Sequence, residues 1–252
     1  MRTNGCSIVT GAGRGIGRTI ALRMAEDMSV VLVGKTASSI DAVGDEALGK
    51  GANVCRVVGD VRDQATAKRA AMFADSDGPP LHLICNAGVS WSGESHTFDL
   101  ARWQETFDVN VYAAMHFVQA CLPAMLREKR GTIVLMSSMA GLRGYTHIAA
   151  YAASKHALVG LAKSLAKEYG KHGIVTVAVC PGFVESDMTA RSIKSTAARR
   201  NIDEAAARTI IECVNPQRRI IPAEEVAEMV AFVCSGKVPA LSGSVIELSG
   251  GE

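Results

Sequence analysis

Tyr151 and Lys155 carry a phenol and an ammonium group four positions apart, at the start of a strong helical pattern. Residues i and i+4 share one face of a helix, so the two groups can lie side by side. A free tyrosine has a pKa of about 10, and a neighbouring ammonium favours the phenolate and lowers that pKa. The pair is therefore suited to exchange a proton with an oxygen near neutral pH. A tyrosine and a lysine on an exposed helix face would show the same spacing, so other residues must decide.

Two serines, Ser137 and Ser138, follow the apolar strand pattern of Ile133–Met136. Open α/β sheets bind their ligands at the carboxyl ends of the strands. A serine at such an end can donate a hydrogen bond to a substrate carbonyl and hold that oxygen against the phenol of Tyr151. The pattern alone does not choose between the two serines, and a strand-end serine can also be purely structural.

Four glycines occur within the seven residues Gly11–Gly17, between the first predicted strand and the first predicted helix. A turn without side chains lets the backbone approach a pyrophosphate, and the following helix N-terminus offers free N–H groups. The spacing is Gly11-x3-Gly15-x-Gly17, with Arg14 and Ile16 in between, and it differs from the common G-x-G-x-x-G fingerprint. We expect the turn to bind a dinucleotide, the alternative being a tight turn without a ligand.

The second predicted strand ends at Val33-Gly34 and is followed by Lys35, with no carboxylate before Asp41. An acidic residue after this strand usually binds the adenine ribose 2′-hydroxyl of NAD, whereas a cation would attract the 2′-phosphate of NADP. Lys35 and Arg14 are placed to supply that cation, with Thr36 and Ser38 as further donors. The sequence therefore favours NADP(H) over NAD(H), the alternative for Lys35 being a solvated surface lysine.

Short apolar runs alternate with helical patterns along the whole chain, and these elements must position the residues above. Runs that are apolar at nearly every position are typical of parallel strands buried on both faces. The alternation predicts an α/β fold, a doubly wound seven-stranded parallel sheet with helices on both faces. The strands are predicted at Cys6–Thr10, Val30–Val33, Val54–Gly59, Leu81–Cys85, Thr132–Ser137, Val175–Val179 and Val245–Leu248, and the helices at 15–26, 38–49, 63–75, 99–127, 150–170 and 223–234.

The composition is that of a globular protein, with 48% hydrophobic and 21% charged residues among 252, a length that suits one domain. A net charge of +2 gives no reason to expect nucleic acid or an anionic membrane as partner. We find no apolar run of about 18 residues and no room for a signal peptide. The seven scattered cysteines indicate a reducing compartment, so we expect a cytoplasmic protein without a structural metal.

Motifs along the chain resemble those of the short-chain dehydrogenase/reductase family, from Thr3 to Gly251. Each motif is moderately specific, but their shared order identifies the family. In chain order they are the glycine turn, Asp60-Val61, Asn86-Ala87-Gly88, Asn110, Ser138, the pair Tyr151 and Lys155, and Pro181-Gly182. The resemblance implies a Rossmann-type fold, an NAD(P)-dependent reaction that interconverts a carbonyl and an alcohol, and Ser138 rather than Ser137 as the substrate-binding serine.

The resemblance also implies a role for each further residue. Asn110 would hold a water that relays protons to Lys155, and Lys155 would bind the nicotinamide ribose. Asp60 would lie against the adenine, Asn86 would stabilise the sheet centre, and Ala87-Gly88 would let the cofactor approach. Contacts to the nicotinamide side would come from Pro181, Gly182 and Val184, and from Ser186, which stands where the family usually has a threonine.

The segment 185–220 interrupts the strand–helix rhythm, and we expect one or two helices outside the sheet that form a substrate lid. The sequence says least about the substrate. The resemblance is greatest to 3-oxoacyl thioester reductases, and basic lid residues could attract a phosphate of CoA or acyl carrier protein, unless they form a solvated face. These residues are Arg191, Lys194, Arg199 and Arg200. His147 and Trp91 could wall the pocket.

Competing interpretations are a sugar or polyol dehydrogenase, a reductase of cyclic or polyketide-like ketones, and a non-catalytic cofactor sensor. The catalytic set argues against the sensor, which needs no proton transfer. Long helices with small or apolar positions, together with the resemblance, also imply a homodimer or homotetramer.

Overall fold

The computed structural model describes residues 5–76 and 79–252, so Thr3 lies outside the described residues. Within these ranges the chain forms a seven-stranded, all-parallel sheet in the order β3-β2-β1-β4-β5-β6-β7. The predicted doubly wound α/β fold is confirmed, and the crevice where the strand order reverses lies between β1 and β4. The strands are β1 (Cys6–Thr10), β2 (Ser29–Gly34), β3 (Val54–Val58), β4 (Pro80–Cys85), β5 (Gly131–Met136), β6 (Ile174–Pro181) and β7 (Val245–Leu248).

Helices cover both faces of this sheet. Because successive strand residues point to opposite faces, each face has a hydrophobic core of its own. In β1, Ile8 packs into one hydrophobic core with Phe117, while Val9 packs into the other with Ile20. The first core contains α3, α5 and α6, and the second contains α1, α2 and α9. The helices are α1 (Gly15–Asp27), α2 (Ala37–Gly49), α3 (Gln64–Ser76), α4 (Leu100–Phe107), α5 (Ala113–Glu128), α6 (Ala149–Tyr169), α7 (Asp187–Arg200), α8 (Glu204–Glu212) and α9 (Ala223–Cys234).

The long helix predicted at 99–127 is not one regular α-helix. A π-helical turn, Asp108–Tyr112, separates α4 from α5. The backbone N–H of Ala113 donates to the carbonyl of Asp108, five residues back, which widens the helix at this point. Because π-helical turns are often found at functional sites, the position of Asn110 within this one marks it for attention.

The combined stretch Leu100–Glu128 is long and apolar enough to cross a membrane by length and composition, with a mean hydropathy of 1.3. This differs from the expectation that no such run exists. Half of the 18-residue apolar window in this stretch is buried inside the protein. Phe117 and Met125 are fully buried in the core that contains α3, α5 and α6. Core helices pass the same test, and the packing identifies α5 as one of them.

The segment 185–220 forms the expected helices outside the sheet, α7 and α8. They pack on each other through a small hydrophobic cluster of their own, which includes Ile193 and Ile211. At the base of the insertion, Val184 pairs with Ile221 in a parallel bridge. The insertion is therefore a separate packing unit placed beyond the carboxyl end of β6.

We expect Gly173→Ala to lower the free energy of unfolding by about 2 kcal/mol. Gly173 leads into β6 with φ at +77°, and a Cβ there would lie 2.2 Å from the carbonyl oxygen of Lys129. Gly170 has a helical φ of −56° and no atom within 4 Å of a Cβ, so Gly170→Ala should change stability by less than about 0.5 kcal/mol. Urea unfolding of both variants tests this, and equal midpoints would contradict it.

Candidate active site

A cleft of about 490 Å³ opens at the carboxyl end of the sheet, over the crevice between β1 and β4. Parallel strands that end at one edge bring residues distant in sequence to the same place. Most residues predicted to bind the cofactor line this cleft. They are Gly11, Arg14, Gly15, Ile16, Gly17, Lys35, Asp60, Val61, Asn86, Ala87, Gly88, Tyr151, Lys155, Pro181 and Ser186.

The glycine turn lines the cleft and has no room for a side chain at Gly13 or Gly17. A Cβ on Gly17 would lie 2.2 Å from the Gly11 carbonyl oxygen, and one on Gly13 would lie 2.5 Å from the Ser39 hydroxyl. The following helix α1 has no side-chain cap at Arg14 and no acidic residue in its first turn. Its N-terminal N–H groups and the positive end of its dipole therefore face the cleft, which fits the pyrophosphate of a dinucleotide.

Thr10 and Asn86 tie this turn to the end of β4. The Thr10 hydroxyl accepts hydrogen bonds from the backbone N–H groups of Asn86 at 2.9 Å and Ala87 at 3.0 Å. The Asn86 side-chain amide donates back to the Thr10 carbonyl at 3.0 Å. Asn86 therefore joins the two strands that flank the crevice, in keeping with its expected place at the sheet centre.

A charged cluster marks the end of the cleft next to β2 and β3. Asp60 accepts two bonds from the guanidinium of Arg62, at 3.0 and 2.7 Å, and lies 3.2 Å from the ammonium of Lys35. The Arg62 hydrogen bonds, followed by Lys35, hold the pKa of Asp60 well below its usual range. Asp60 thus holds two cations, and a further carboxylate of the cleft lining, Glu105, also favours the charged form of Arg62.

Arg62 and Ser39 line the cleft, although neither was predicted from the sequence to bind the cofactor. The signal for Arg62 was its position directly after Asp60-Val61. Ser38 was named as a possible donor, but Ser39 takes that place, and its hydroxyl donates to the Thr36 carbonyl at 2.9 Å. Ser39 rather than Ser38 faces the cleft, because α2 begins at Ala37 and its first turn directs Ser39 toward the glycine turn.

Lys155 is buried on α6, and its ammonium donates to the Met136 carbonyl at 2.7 Å. Burial disfavours the charged form and lowers the pKa of Lys155 to about 8. The nitrogen lies 5.5 Å from the centroid of the Tyr151 ring, so the expected i, i+4 neighbourhood is present. Tyr151 and Lys155 face the cleft from the same side of the helix.

The pKa of Tyr151 is raised rather than lowered, contrary to expectation. Burial is the largest cause, and a hydrogen bond from Ser138 acts in the opposite direction. A low-dielectric site penalises the phenolate more than this single bond favours it. A positive charge at the nicotinamide would favour the phenolate.

The structure distinguishes the two candidate serines. A hydrogen bond from Ser138 acts on the Tyr151 phenol, although Ser137 rather than Ser138 lines the cleft. The hydroxyl of Ser137 is buried and donates at 2.8 Å to the main-chain carbonyl of Lys155. Only Ser138 therefore has its hydroxyl directed to the phenol.

Asn110 lies near Lys155 without bonding it or Tyr151. Its amide nitrogen donates to the Val89 carbonyl at 3.0 Å and to the Ser154 hydroxyl at 2.9 Å, and its oxygen accepts from the Val89 N–H at 2.8 Å. A Cβ on Gly88 would lie 3.3 Å from the Asn110 oxygen and 3.6 Å from the Lys155 nitrogen. Gly88 thus leaves space between them, and the side-chain amide is occupied by protein groups.

Gly182 and Val184 do not belong to the cleft lining. The backbone N–H of Gly182 donates to the Leu248 carbonyl at 2.9 Å, and Val184 is buried against the base of the insertion. Ser186 does line the cleft, lies near Gly15, and caps α7 by accepting from the Thr189 N–H at 3.3 Å. Its hydroxyl therefore has a structural partner as well as access to the cleft.

Two loops carry Trp91 and His147, and neither residue belongs to the cleft lining. The carbonyl of His147 accepts from the Gly93 N–H at 2.8 Å, and His147 has a left-handed φ of +67°. Trp91, in the first loop, lies under the guanidinium of Arg102 at 3.9 Å. The expectation that His147 and Trp91 wall a pocket stays a prediction.

The insertion approaches the glycine turn through the start of α7. Arg14 and Asp187 form an ion pair at 3.5 Å, so the turn and the insertion are in contact. Met188 and Arg191 also line the cleft. Among the described residues no carboxylate pairs with Arg191. Lys194, another basic residue of the insertion, does not line the cleft.

Comparisons with known proteins agree with this geometry. The family model described as short chain dehydrogenase matches residues 6–197. The oxidoreductase UcpA of Salmonella typhimurium is 34% identical over 254 residues, which cover 99% of this chain and 94% of that protein. The 3-oxoacyl-[acyl-carrier-protein] reductase FabG of Staphylococcus aureus is 32% identical, covering 100% and 99%.

Solved structures show the same fold with either nicotinamide cofactor. A single-residue variant of actinorhodin polyketide ketoreductase with NADPH is 29% identical, with a TM-score of 0.95 over 99% of this chain and 98% of that one. A 3-oxoacyl-[acyl-carrier protein] reductase from Brucella melitensis with bound NAD is 25% identical, with a TM-score of 0.86 over 99% and 91%. The chain therefore belongs to the short-chain dehydrogenase family and is an oxidoreductase that acts on CH–OH groups of a small-molecule substrate.

Proposed function

We propose that the protein interconverts a ketone and a secondary alcohol with NADP(H), and that Tyr151 is the proton donor and acceptor. The observation that carries this proposal is that Tyr151 and Lys155 lie together in the cleft that contains the glycine turn, with Ser138 hydrogen-bonded to the Tyr151 phenol. A non-catalytic sensor would bind the dinucleotide without needing a phenol beside a buried ammonium and a serine.

A nicotinamide cofactor in the cleft supplies hydride to the carbonyl carbon in reduction and accepts it in oxidation. Ser138 donates a hydrogen bond to the substrate oxygen and holds it against the phenol. Tyr151 gives its proton to that oxygen in reduction and takes it back in oxidation. Lys155 stabilises the phenolate through its ammonium and binds the nicotinamide ribose.

The family resemblance implies that a water near Asn110 relays protons to Lys155. Because Val89 and Ser154 occupy the side-chain amide of Asn110, we assign the relay water to a main-chain carbonyl of the π-helical turn, Asp108–Tyr112. A turn whose bonded groups are five residues apart displaces carbonyls from the regular helical pattern, so that they can accept from water.

The preference for NADP(H) rests on charge. Lys35 and Arg62 bring two cations to the end of the cleft next to β2, where Asp60 pairs with both and Glu105 is a further carboxylate of the lining. The last residue of β2, Gly34, is followed by a cation where an NAD enzyme of this architecture usually has an acid. The 2′-phosphate of NADP would be attracted to these two cations.

For the substrate we propose a 3-oxoacyl thioester of acyl carrier protein or CoA. FabG supports this class by sequence, and Arg191 supports it by position, because among the described residues it is a cation without a carboxylate partner at the cleft opening. The alternative is a cyclic or polyketide-type ketone, favoured by the ketoreductase with a TM-score of 0.95. A sugar or polyol is the remaining alternative.

The assembly expected from the sequence, a homodimer or homotetramer, also belongs to this proposal, as does the cytoplasmic location. Leu100 and Tyr112, on α4 and the π-helical turn, are 78% and 52% exposed. Large apolar side chains exposed on long helices are suited to a second copy of the chain.

Tyr151→Phe should lower kcat at least about 100-fold, because the general acid is lost, while the Kd for NADPH stays within about twofold. Turnover is measured on a panel of CoA thioesters, sugars and cyclic ketones, and binding by nucleotide fluorescence. Tyr169→Phe, at the far end of the same helix, is the matched control and should behave as the wild type. Retention of more than about a tenth of the activity by Tyr151→Phe would end the assignment.

Lys35→Ala should weaken NADPH binding about tenfold and NADH binding less than about twofold, because one charge-assisted contact to the 2′-phosphate is lost. Lys50→Ala removes another lysine that pairs with a carboxylate, Glu46, at 3.6 Å but lies away from the cleft, and should change neither Kd. Fluorescence titration with both nucleotides gives the two values. Equal weakening for NADPH and NADH would contradict the proposed preference.

Arg191→Gln should raise the KM for acetoacetyl-CoA about fivefold and leave the KM of an uncharged cyclic ketone unchanged, because only the thioester carries phosphates. Lys68→Gln, an exposed cation on α3, is the control for overall charge. A raised Kd for NADPH instead would place Arg191 at the cofactor. An unchanged KM for the thioester would remove the support that Arg191 gives to this substrate class.

A further inference from the structure

Two buried serines hold the catalytic turn of α6 at the residues that carry its chemistry. Ser137, directly after β5, is 6% exposed, and its hydroxyl donates to the Lys155 carbonyl at 2.8 Å. Ser154, on α6 itself, is fully buried, and its hydroxyl donates to the Tyr151 carbonyl at 2.7 Å. The main-chain carbonyls of the two catalytic residues therefore each accept a side-chain hydroxyl.

Neither bond is needed to form the helix. Within α6 the carbonyls of Tyr151 and Lys155 lie at positions where the regular helical pattern already provides an N–H donor four residues later. A carbonyl has two lone pairs, so the serine hydroxyl is a second donor. The extra bonds therefore fix where this turn lies relative to its neighbours.

Ser137 fixes α6 against the sheet. Together with Met136, it holds Lys155 at two points, since the Met136 carbonyl accepts from the ammonium at 2.7 Å. Gly141 closes the contact from the other side. A Cβ on Gly141 would lie 2.3 Å from the Ser137 hydroxyl and 2.8 Å from the Lys155 carbonyl oxygen. Consecutive residues at one strand end thus set both the backbone and the charged end of Lys155.

Ser154 fixes the same turn against the π-helical turn. Its hydroxyl oxygen accepts from the Asn110 amide at 2.9 Å. Asn110 in turn holds the backbone of Val89 through two bonds, at 2.8 and 3.0 Å. The Tyr151 carbonyl is thereby connected, through two side chains, to the loop that follows β4.

We propose that Ser137 and Ser154 are positioning residues for the proton transfer, holding Lys155 and Tyr151 in register with the cleft from two directions. The inference rests on the proposed function, since it concerns the distance between the phenol, the ammonium and the reacting oxygen. A displacement of about 1 Å at a reacting group can cost about 100-fold in rate. Hydroxyl bonds on both carbonyls restrict such a displacement.

The test uses Ser137→Ala and Ser154→Ala in the full chain. Each should lower kcat about tenfold, with the KM and the Kd for NADPH within about twofold. The limb of the kcat pH profile that reports Tyr151 should move to higher pH by about 0.5 unit, because a less firmly placed ammonium stabilises the phenolate less. A residue that merely supports the fold would not move that limb.

Ser7→Ala is the control, because Ser7 is also a fully buried serine with a hydroxyl donor bond, to the Met28 sulfur at 2.7 Å, but lies on β1 outside the cleft. It should lower the melting temperature without changing kcat or the pH profile. Ser137→Cys keeps the shape of the side chain with a larger terminal atom that donates weakly, so it should show the kinetic loss of Ser137→Ala even if the alanine variant folds poorly.

Normal kcat and an unshifted pH profile in Ser137→Ala, Ser137→Cys and Ser154→Ala would overturn the inference. So would a loss confined to KM or to the Kd for NADPH. An inactive Tyr151→Phe alongside fully active serine variants would leave the proposed function standing and remove only the positioning role. A fully active Tyr151→Phe would instead show that the proposed function itself has failed.

Discussion

The buried ammonium of Lys155 is the constraint around which the candidate site is arranged. A charge removed from water is costly unless it is hydrogen-bonded, and here the Met136 carbonyl supplies the bond. That bond requires β5 to end where it does and α6 to cross it closely. The close crossing in turn requires a glycine at Gly141, and an open space between the ammonium and Asn110 requires one at Gly88. The lowered pKa of Lys155 is the cost of placing the charge where it can act on Tyr151.

Elements of regular pattern could be predicted from the sequence, and most of the cleft follows from them. Strands that are apolar throughout and a glycine cluster between a strand and a helix each have one dominant physical explanation. Tyr151 and Lys155 follow from helical spacing. The π-helical turn at Asn110 could not be predicted, because a single extra residue in a helical turn leaves the apolar periodicity of 99–127 nearly unchanged.

The sequence pattern alone could not choose between two adjacent residues with the same chemistry. Ser137 and Ser138 are both strand-end serines, and Ser38 and Ser39 both begin a helix, so the direction of one side chain decides. Arg62 was missed for another reason. Arg62 is held in the cleft by a carboxylate of the same chain, Asp60, and a pairing between two side chains leaves no spacing pattern in the sequence. Val184 was expected at the cofactor, but its position in a β-bridge buries it.

The insertion formed by α7 and α8 has a hydrophobic cluster that shares no residue with the two cores of the sheet. Its base is closed by the pairing of Val184 with Ile221. Sequence changes within it can therefore accumulate while the packing beneath Tyr151 and the glycine turn is preserved. In evolutionary terms, this is a part of the chain that can diverge as a block while the elements that carry Tyr151 and the glycine turn are kept unchanged.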